Sequence, residues 1–438
     1  MACFFNGISL MKIIKQFGVV SRHRHLEALL CTACLFCAGS AYAADGMSLD
    51  DAIVATLTRS PELLAFNYAM DAQDGRIVQA GLSPRPALGV SVENVLGTGT
   101  AQGFSGTEAT VSIAWVLEGD LRQRRIDTAR AGSQVLAAEA DIMRLDAAAE
   151  TARHYTDALA QQMRREIADQ ALALAQETVV AIQARVDAGT TLTAELSRAQ
   201  AALARRALYR EDIDHELEAA YHRLAAQWGE LTPTFEQVEG DPLNLPDLEP
   251  FDVLVERIER SPELSRYLSE QRLNEAALRL EQAQSRGLWR FNAGIKRIQS
   301  TSDTGFVAGV TIPLSRGNNN QGRIAEARAR LQRSEASEEA ARVRIQTALL
   351  VLYLELEHSI HRVETLRDNV IPRFEKALSE SRRAYELGRY SYLEWLQAQN
   401  DVLDSRSELA EASIQAHLRM IEIERLTGVR LAQAATAE

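Results

Sequence analysis

The chain has 438 residues, a formal net charge of −12 and an aromatic content of only 6%. This acidic balance argues against nucleic acid as a partner, because binding of phosphates requires basic patches. Few aromatic residues, with modest numbers of glycine and proline, favour long helices over a β-sandwich or an α/β core.

The first 43 residues have the pattern of a secretory signal peptide. An apolar stretch from Ala28 to Ala38 leads to Ala41-Tyr42-Ala43, which matches an A-x-A cleavage site. About eleven apolar residues are too few to cross a bilayer, which needs roughly 20 in a helix. We therefore expect cleavage after Ala43 and export, with Met11 as an alternative start of the leader. The positive residues before the apolar stretch are Lys12, Lys15, Arg22 and Arg24.

All the cysteines lie in this leader, namely Cys3, Cys31, Cys34 and Cys37. The mature chain is therefore expected to have no disulfide, no reactive thiol and no cysteine-bound metal. Lipidation at Cys34 or Cys37 is an alternative. It is disfavoured because Cys31 stands where a leucine is expected, and Phe36 stands where a small residue is expected.

A first unit, residues 44–228, begins with a helix at Ser48-Leu49-Asp50-Asp51 and continues into a predicted β-hairpin at 87–117, with its loop at 97–106. Its strands alternate between apolar and polar or small residues, as in Val90-Ser91-Val92. The apolar positions are Leu88, Val90 and Val92 in one strand and Ala109, Val111, Ile113 and Trp115 in the next.

A very long helix is predicted to follow, from Asp120 to Val186. No proline occurs between Pro86 and Pro233, and apolar or small residues recur three or four apart. Such a helix is about 100 Å long at roughly 1.5 Å per residue. It ends near Gly189, and a returning helix follows. The apolar or small residues that form one face of the long helix are Ile142, Leu145, Ala149, Ala152, Tyr155, Leu159, Met163, Ile167, Ala171 and Leu174.

The chain then repeats itself. Ser60-Pro61-Glu62-Leu63 recurs 201 residues later, Ala129-Arg130-Ala131 recurs 198 residues later, and Gly189 has its counterpart 199 residues later in Gly388. Three signatures in one order and at one spacing indicate an internal duplication. The second unit, residues 251–427, is predicted to have the same plan. It contains a helix, a β-hairpin at 288–314 and a helical hairpin from Asn318 with a kink at Pro372, followed by a tail at 428–438.

The four strands suggest contact with lipid. Each is close to the 9–11 residues of a membrane strand and apolar on one side only. After the leader no apolar run approaches 18 residues, so no membrane helix is predicted. An open sheet leaves unpaired edges that lipid does not tolerate, so closure requires several chains, and three would supply twelve strands. Two soluble hairpins on a helical protein remain the alternative. The second unit's apolar positions are Trp289, Phe291, Ala293 and Ile295, then Phe306, Ala308, Val310 and Ile312, with a loop at 299–305.

This plan resembles the TolC-type outer-membrane efflux proteins over nearly the whole mature chain. The resemblance implies a mainly α fold with membrane β-strands: a homotrimer with a twelve-stranded β-barrel in the outer membrane of a Gram-negative bacterium, and a long α-barrel in the periplasm. It places the linker 229–250 and the tail in an equatorial band. It also implies passive export together with a periplasmic adaptor protein and an inner-membrane RND-type transporter.

A narrower resemblance is to the CzcC-like branch, which exports heavy-metal cations. It is carried by Glu93-Asn94-Val95-Leu96-Gly97, by Leu117-Glu118-Gly119, and by the run from Tyr385 to Glu394. Further segments are Glu108 with Thr110, and Pro313-Leu314 with Asn320-Gln321-Gly322. The chain departs from the branch at Gly119-Asp120-Leu121-Arg122, where Gly-Gly-Lys-Arg is frequent. The resemblance implies divalent heavy-metal cations as a candidate cargo, with a drug or another small molecule as the alternative.

No motif for catalysis stands out, so we expect no catalytic residues, no cofactor and no protein-bound metal. His358 and His361, beside Glu355 and Glu357, have the spacing of a metal-binding face, but a solvated helix face is the favoured interpretation.

The functional candidates are the two glycine turns. Glycine just after a helix is the usual left-handed stop, and the resemblance places both turns at the periplasmic tip that docks the adaptor. A helix stop with no docking role is the alternative. The predicted docking residues are Gly189, Thr190, Thr191, Gly388, Arg389, Tyr390 and Ser391.

Glu394 is the predicted pore-constriction residue, because the resemblance implies an acidic ring at its position. Family members often have a second acid three residues later, where this chain has Gln397. An ordinary surface glutamate is the alternative. For the whole chain, the rival hypothesis is a soluble periplasmic coiled-coil scaffold or adaptor without a pore, which the helices alone do not exclude.

Overall fold

The computed structural model describes residues 46–313 and 319–428. The predicted signal peptide with its cysteines, and the tail from residue 429 onwards, lie outside the described residues. Within the described ranges, helices α1–α9 and strands β1–β4 follow one another in two similar series.

The first series begins with α1 (Leu49–Arg59), whose N-terminus is capped by the Ser48 hydroxyl accepting from the backbone N–H of Asp51. After α2 (Pro61–Ala80) and a β-hairpin comes α3 (Leu121–Asp187), and α4 (Thr193–Ala225) returns along it. With 67 residues, α3 is about 100 Å long at roughly 1.5 Å per residue.

The second series contains α5 (Phe251–Ile258), α6 (Pro262–Gln284), a second β-hairpin, α7 (Gln321–Thr365), α8 (Ile371–Glu386) and α9 (Tyr392–Thr427). Among the described residues, no helix combines the length and the apolar character needed to cross a membrane.

A π-helical turn, Leu366–Val370, joins α7 to α8, in which Pro372 is the second residue. The kink predicted at Pro372 thus takes the form of a π turn that ends at the residue before α8. A proline lacks the N–H that would bond to the carbonyl four residues back, and its ring presses on that carbonyl. A π turn accommodates this misfit inside an otherwise continuous helix.

The four strands form one antiparallel sheet in the order β1-β2-β3-β4. They span Ala87–Glu93, Glu108–Leu117, Trp289–Ile298 and Asp303–Thr311. The predicted loop 299–305 is shorter in the structure, because Asp303, Thr304 and Gly305 continue the pairing with β3. Among the described residues, β1 and β4 each have a neighbouring strand on one side only.

The register separates the two faces of the sheet by polarity. Val90, Val111, Ile295 and Phe306 are directly opposite one another across the strands, and so lie on one face. This apolar face is exposed, with Leu88 71% and Phe306 93% accessible. The opposite face carries Ser91, Thr110, Lys296 and Gly305 in one row.

The long helix α3 packs against α4, α6 and α9, and α9 packs against α7 and α8. Alanines fill many of these contacts; Ala149, Ala152 and Ala158 on α3 are fully buried. The small side chains let neighbouring helices approach closely. The linker 229–250 crosses this layer and is fixed to it through side chains of α3 and α9. Gln162 accepts from the backbone N–H of Val238 at 2.9 Å, and His417 Nε2 lies 3.0 Å from the Pro242 carbonyl oxygen.

Candidate functional site at the helical tip

The structure brings the two glycine turns together at one end of the helical layer. Ile182 and Ala199 from the first hairpin share a buried cluster with Tyr385, Tyr392 and Trp395 from the second. Residues about 200 positions apart in the chain therefore form a single apolar tip core. This core positions both turns, which are otherwise exposed.

The first turn ends α3 with a left-handed glycine. Gly189 has φ of 69°, a conformation that glycine adopts without the Cβ penalty. The backbone N–H of Thr190 donates to the Arg185 carbonyl oxygen at 2.8 Å, and the Thr190 hydroxyl donates to the same oxygen at 3.0 Å. The Thr191 hydroxyl donates to Glu195 at 2.6 Å. The turn thus satisfies its own helix ends with local hydrogen bonds.

The second turn has the same plan with a stronger start to the returning helix. Gly388 has φ of 73°, and the backbone N–H of Arg389 donates to the Ala384 carbonyl oxygen at 2.9 Å. At the start of α9, the Ser391 hydroxyl accepts from the Glu394 N–H, while the Glu394 carboxylate accepts from the Ser391 N–H at 2.7 Å. This is a capping box, which satisfies two otherwise unpaired backbone donors.

Arg185 links the two hairpins. It lies in the last turn of α3, and its Nη1 donates to the carbonyl oxygen of Tyr385 at 2.7 Å. Its guanidinium also lies 4.8 Å from the centroid of the Tyr385 ring. The last carbonyls of a helix lack intrahelical partners and carry partial negative charge. Arg185 therefore caps the C-terminal end of α8 from a neighbouring helix.

Tyr385 is the centre of the tip core. Its ring stacks on that of Trp395, with centroids 5.0 Å apart. Burial raises the pKa of the Tyr385 hydroxyl above its ordinary value. That hydroxyl has no hydrogen-bond partner among the described residues. The contribution of Tyr385 at the tip therefore comes from its ring.

Glu394 and Gln397 both lie on the exposed side of α9. The backbone hydrogen bond from Ser391 lowers the pKa of the Glu394 carboxyl below its ordinary value. Gln397 Nε2 donates to Asp401 Oδ1 at 2.7 Å. The candidate constriction residue thus also caps its own helix, and Asp401 supplies an acid one turn further along.

The predicted docking residues lie together and are exposed, except that Thr191 is half-buried. Sequence reasoning missed an apolar component of this surface. Leu192 is 72% and Leu387 61% accessible, and Tyr390 and Leu393 are about half exposed. It also missed Arg185, because nothing in the local sequence connects that residue with Tyr385. The tip therefore offers exposed leucines around two rigid turns.

The histidines considered for metal binding lie on the exposed side of α7. Their neighbour Glu355 forms an ion pair of 2.5 Å with Arg419 of α9. Across residues 46–313 and 319–428, no group of three or more His, Cys, Asp or Glu side chains is arranged to hold a metal ion.

The family model described as "Outer membrane efflux protein" matches residues 52–230 and 258–429, which cover both repeats. The cobalt-zinc-cadmium resistance protein CzcC of Cupriavidus metallidurans is 25% identical over 386 residues, covering 88% of this chain and 91% of that protein. The nickel-cobalt-cadmium resistance protein NccC of Alcaligenes xylosoxydans xylosoxydans is 26% identical over 319 residues, covering 70% of this chain and 71% of that protein.

Solved structures have the same fold. The outer membrane protein VceC of Vibrio cholerae aligns with a TM-score of 0.70 at 17% identity, covering 87% of this chain and 96% of that one. This similarity shows that the fold described above is that of an outer-membrane protein of known structure.

Proposed function

This chain belongs to the outer membrane efflux protein family, and we propose that it forms a trimeric duct that passes divalent heavy-metal cations out of the periplasm. Members of the family are outer-membrane channels that work with an adaptor and an inner-membrane pump. The chain is therefore an outer-membrane efflux channel protein and not the soluble scaffold considered above.

The sheet supports the trimer. Its exposed apolar face and its two open edges, β1 and β4, are the features that a single chain leaves unsatisfied. Pairing β1 of one chain with β4 of the next removes every open edge and turns the mainly apolar face towards lipid. That face also carries Arg297 and Thr304, which lie near the loop end of the strands. Three chains then contribute twelve strands to a barrel. This arrangement of one apolar and one polar face is the single observation that carries the proposal.

The cargo assignment comes from the two relatives, which are named for resistance to cobalt, zinc, cadmium and nickel. The identity of 25% extends over both repeats rather than over one shared segment. The channel does no bond chemistry, so the pump supplies the energy and selects the cargo. An RND-type pump is part of this proposal.

The helical tip is the proposed point of contact with the adaptor. Gly189, Thr190, Thr191, Gly388, Arg389, Tyr390 and Ser391 form its surface, with the exposed leucines beside them. The proposed opening is a relaxation of the returning helices, α4 and α9, once the adaptor docks. Arg185 opposes that movement because it ties the end of α8 to α3. Glu394 and Gln397 are proposed to line the constriction.

Complementation of a strain lacking its own channel tests the cargo. Restored resistance to Co²⁺, Zn²⁺ or Cd²⁺, with lower cellular metal, supports the assignment. If the protein assembles in the outer membrane but restores resistance only to organic antibiotics, the metal assignment is wrong while the duct remains.

A further inference from the structure

Three carboxylates share one row on the polar face of the sheet. Glu93 of β1 is directly opposite Glu108 of β2, and Ile298 of β3 connects that row to Asp303 of β4. In the proposed barrel this polar face lines the lumen, and the row lies at the end formed by the β1–β2 and β3–β4 loops. These loops close the hairpins at the end away from the helices. The row is therefore at the outer exit of the duct.

Two acidic side chains directly opposite each other on a sheet repel and destabilise the pairing. Lys296 of β3, one row closer to the helices, relieves this repulsion. Its Nζ lies 3.4 Å from Glu93 Oε2 and also bonds to Glu108 Oε2. The Lys296 and Glu108 side chains are 26% and 24% accessible. A positive group is therefore held between the two carboxylates.

The choice of lysine is unusual for this chain. Only four of its 48 basic residues are lysines, and only Lys296 and Lys376 belong to the described part of the chain. Elsewhere in residues 46–313 and 319–428 the ion pairs use arginine or, once, histidine. Arginine presents a flat fork of donors, whereas the lysine ammonium is a compact, strongly hydrated point charge. In its charge and small size it resembles a metal cation.

The Lys296 side chain lies beside open space on the β4 side. Gly305 of β4 is directly opposite Lys296, and a Cβ added there would meet no atom within 4 Å. Without the lysine, Glu93 and Glu108 would face an open, water-accessible space. Carboxylates with water are the ligands that Mn²⁺ and similar divalent cations prefer.

We propose that Lys296 is a tethered cation that occupies the position a divalent cation would otherwise take between Glu93 and Glu108. A pathway conducts only if each binding step is weak enough to let the ion leave. A carboxylate pair at the exit attracts cations, and the resident ammonium prevents their retention. The relevance to export rests on the proposed metal cargo, but the effect of Lys296 on cation binding does not.

Titration of purified, detergent-solubilised trimers with Mn²⁺, followed by electron paramagnetic resonance of the free ion, tests this inference. Lys296→Met is expected to bind Mn²⁺ at one new site per chain, at least tenfold more tightly than the wild type does there. Lys296→Arg, which keeps the charge, should remain at the wild-type level. Adding Glu93→Gln and Glu108→Gln to Lys296→Met should abolish the new site.

Arg297→Gln is the matched control, because it removes a neighbouring positive charge that lies on the opposite face of β3. If Lys296→Met gains no more Mn²⁺ than Arg297→Gln, the inference is overturned. Lys296→Gln serves as the second variant should methionine impair trimer assembly. Failure of the wild-type protein to restore metal resistance would refute the cargo assignment alone, since Mn²⁺ binding to purified trimers is measured separately.

Discussion

Arg185 of α3 donates a hydrogen bond of 2.7 Å to the Tyr385 carbonyl oxygen and holds its guanidinium 4.8 Å from the Tyr385 ring centroid. One side chain thus contacts both the backbone end and the aromatic ring of α8. The two residues are 200 positions apart, and each lies one turn before a glycine turn. The two hairpin tips are therefore joined into one unit.

Arg185→Ala should loosen the second hairpin. A hydrogen bond from a charged donor contributes about 1.5–3 kcal/mol when buried, and half-burial places Arg185 towards the lower end. We expect amide exchange in residues 378–396 to become about tenfold faster. Hydrogen–deuterium exchange of the detergent-solubilised protein measures this. Arg389→Ala is the control, because its side chain forms no ion pair among the described residues. Equal exchange in the two variants would contradict the linking role of Arg185.

Tyr385→Phe should leave the tip intact. The hydroxyl is buried without a partner in the described part of the chain, and removal of an unsatisfied polar group is close to neutral or stabilising. The stacking on Trp395 and the contact with Arg185 both remain. We expect local opening free energies within about 0.5 kcal/mol of the wild type. Tyr385→Ala, which leaves a cavity, should cost about 3–5 kcal/mol. Exchange as fast in Tyr385→Phe as in Tyr385→Ala would show that the hydroxyl has a partner.

The capping box should make the start of α9 sensitive to acid. Because the Ser391 N–H donates to the Glu394 carboxylate, the pKa of that carboxyl is lowered from 4.5. A lowered folded-state pKa means that the stabilisation is present above pH 4.5 and is lost as the pH falls through the folded value. We therefore expect hydrogen–deuterium exchange at the backbone amides of residues 391–396 to become faster as the pH falls below 4.5, after correction for the intrinsic pH dependence of exchange.

Glu394→Gln should remove this acid-dependent change, whereas Glu386→Gln, at an exposed site in the last turn of α8, should keep it. Retention of the full pH dependence in Glu394→Gln would assign the titration to another group.

Gly388 separates a docking role from a helix stop. Its φ of 73° costs an ordinary L-residue roughly 1–2 kcal/mol, whereas asparagine tolerates this conformation. Gly388→Val adds both strain and bulk to the exposed turn. We expect trimers in the outer membrane but loss of export, with Gly388→Asn close to normal in both. Normal export by Gly388→Val would exclude Gly388 from the docking surface.

The sequence was sufficient for the large features of the fold. A proline-free stretch with apolar or small residues three or four apart predicted α3, and the alternation at Val90-Ser91-Val92 predicted both faces of the sheet. The family resemblance is confirmed by the match over both repeats. These features depend on periodicity, which a single sequence displays directly.

The features that could not be predicted from the sequence depend on contacts between residues distant in the chain. The pairing of Arg185 with Tyr385, and the approach of Lys296 to Glu93 and Glu108, follow from packing and register across about 200 residues. The π turn before Pro372 was predicted only as a kink, because a proline shows that a helix is disturbed but not how. The adaptor-docking and constriction roles remain proposals.

Disulfide cross-linking between the two open edges of the sheet tests the trimeric duct directly. All native cysteines lie at or before Cys37. Once the leader is removed, any disulfide must therefore form between cysteines introduced into the strands. Ser91→Cys in β1 would be combined in turn with one cysteine at each position of β4, then oxidised in intact outer membranes. If three chains close the barrel, at least one combination yields a boiling-resistant species of three chains that reducing agent returns to monomers. Monomers from every combination, in a protein that salt extracts from the membrane, would contradict the trimeric duct.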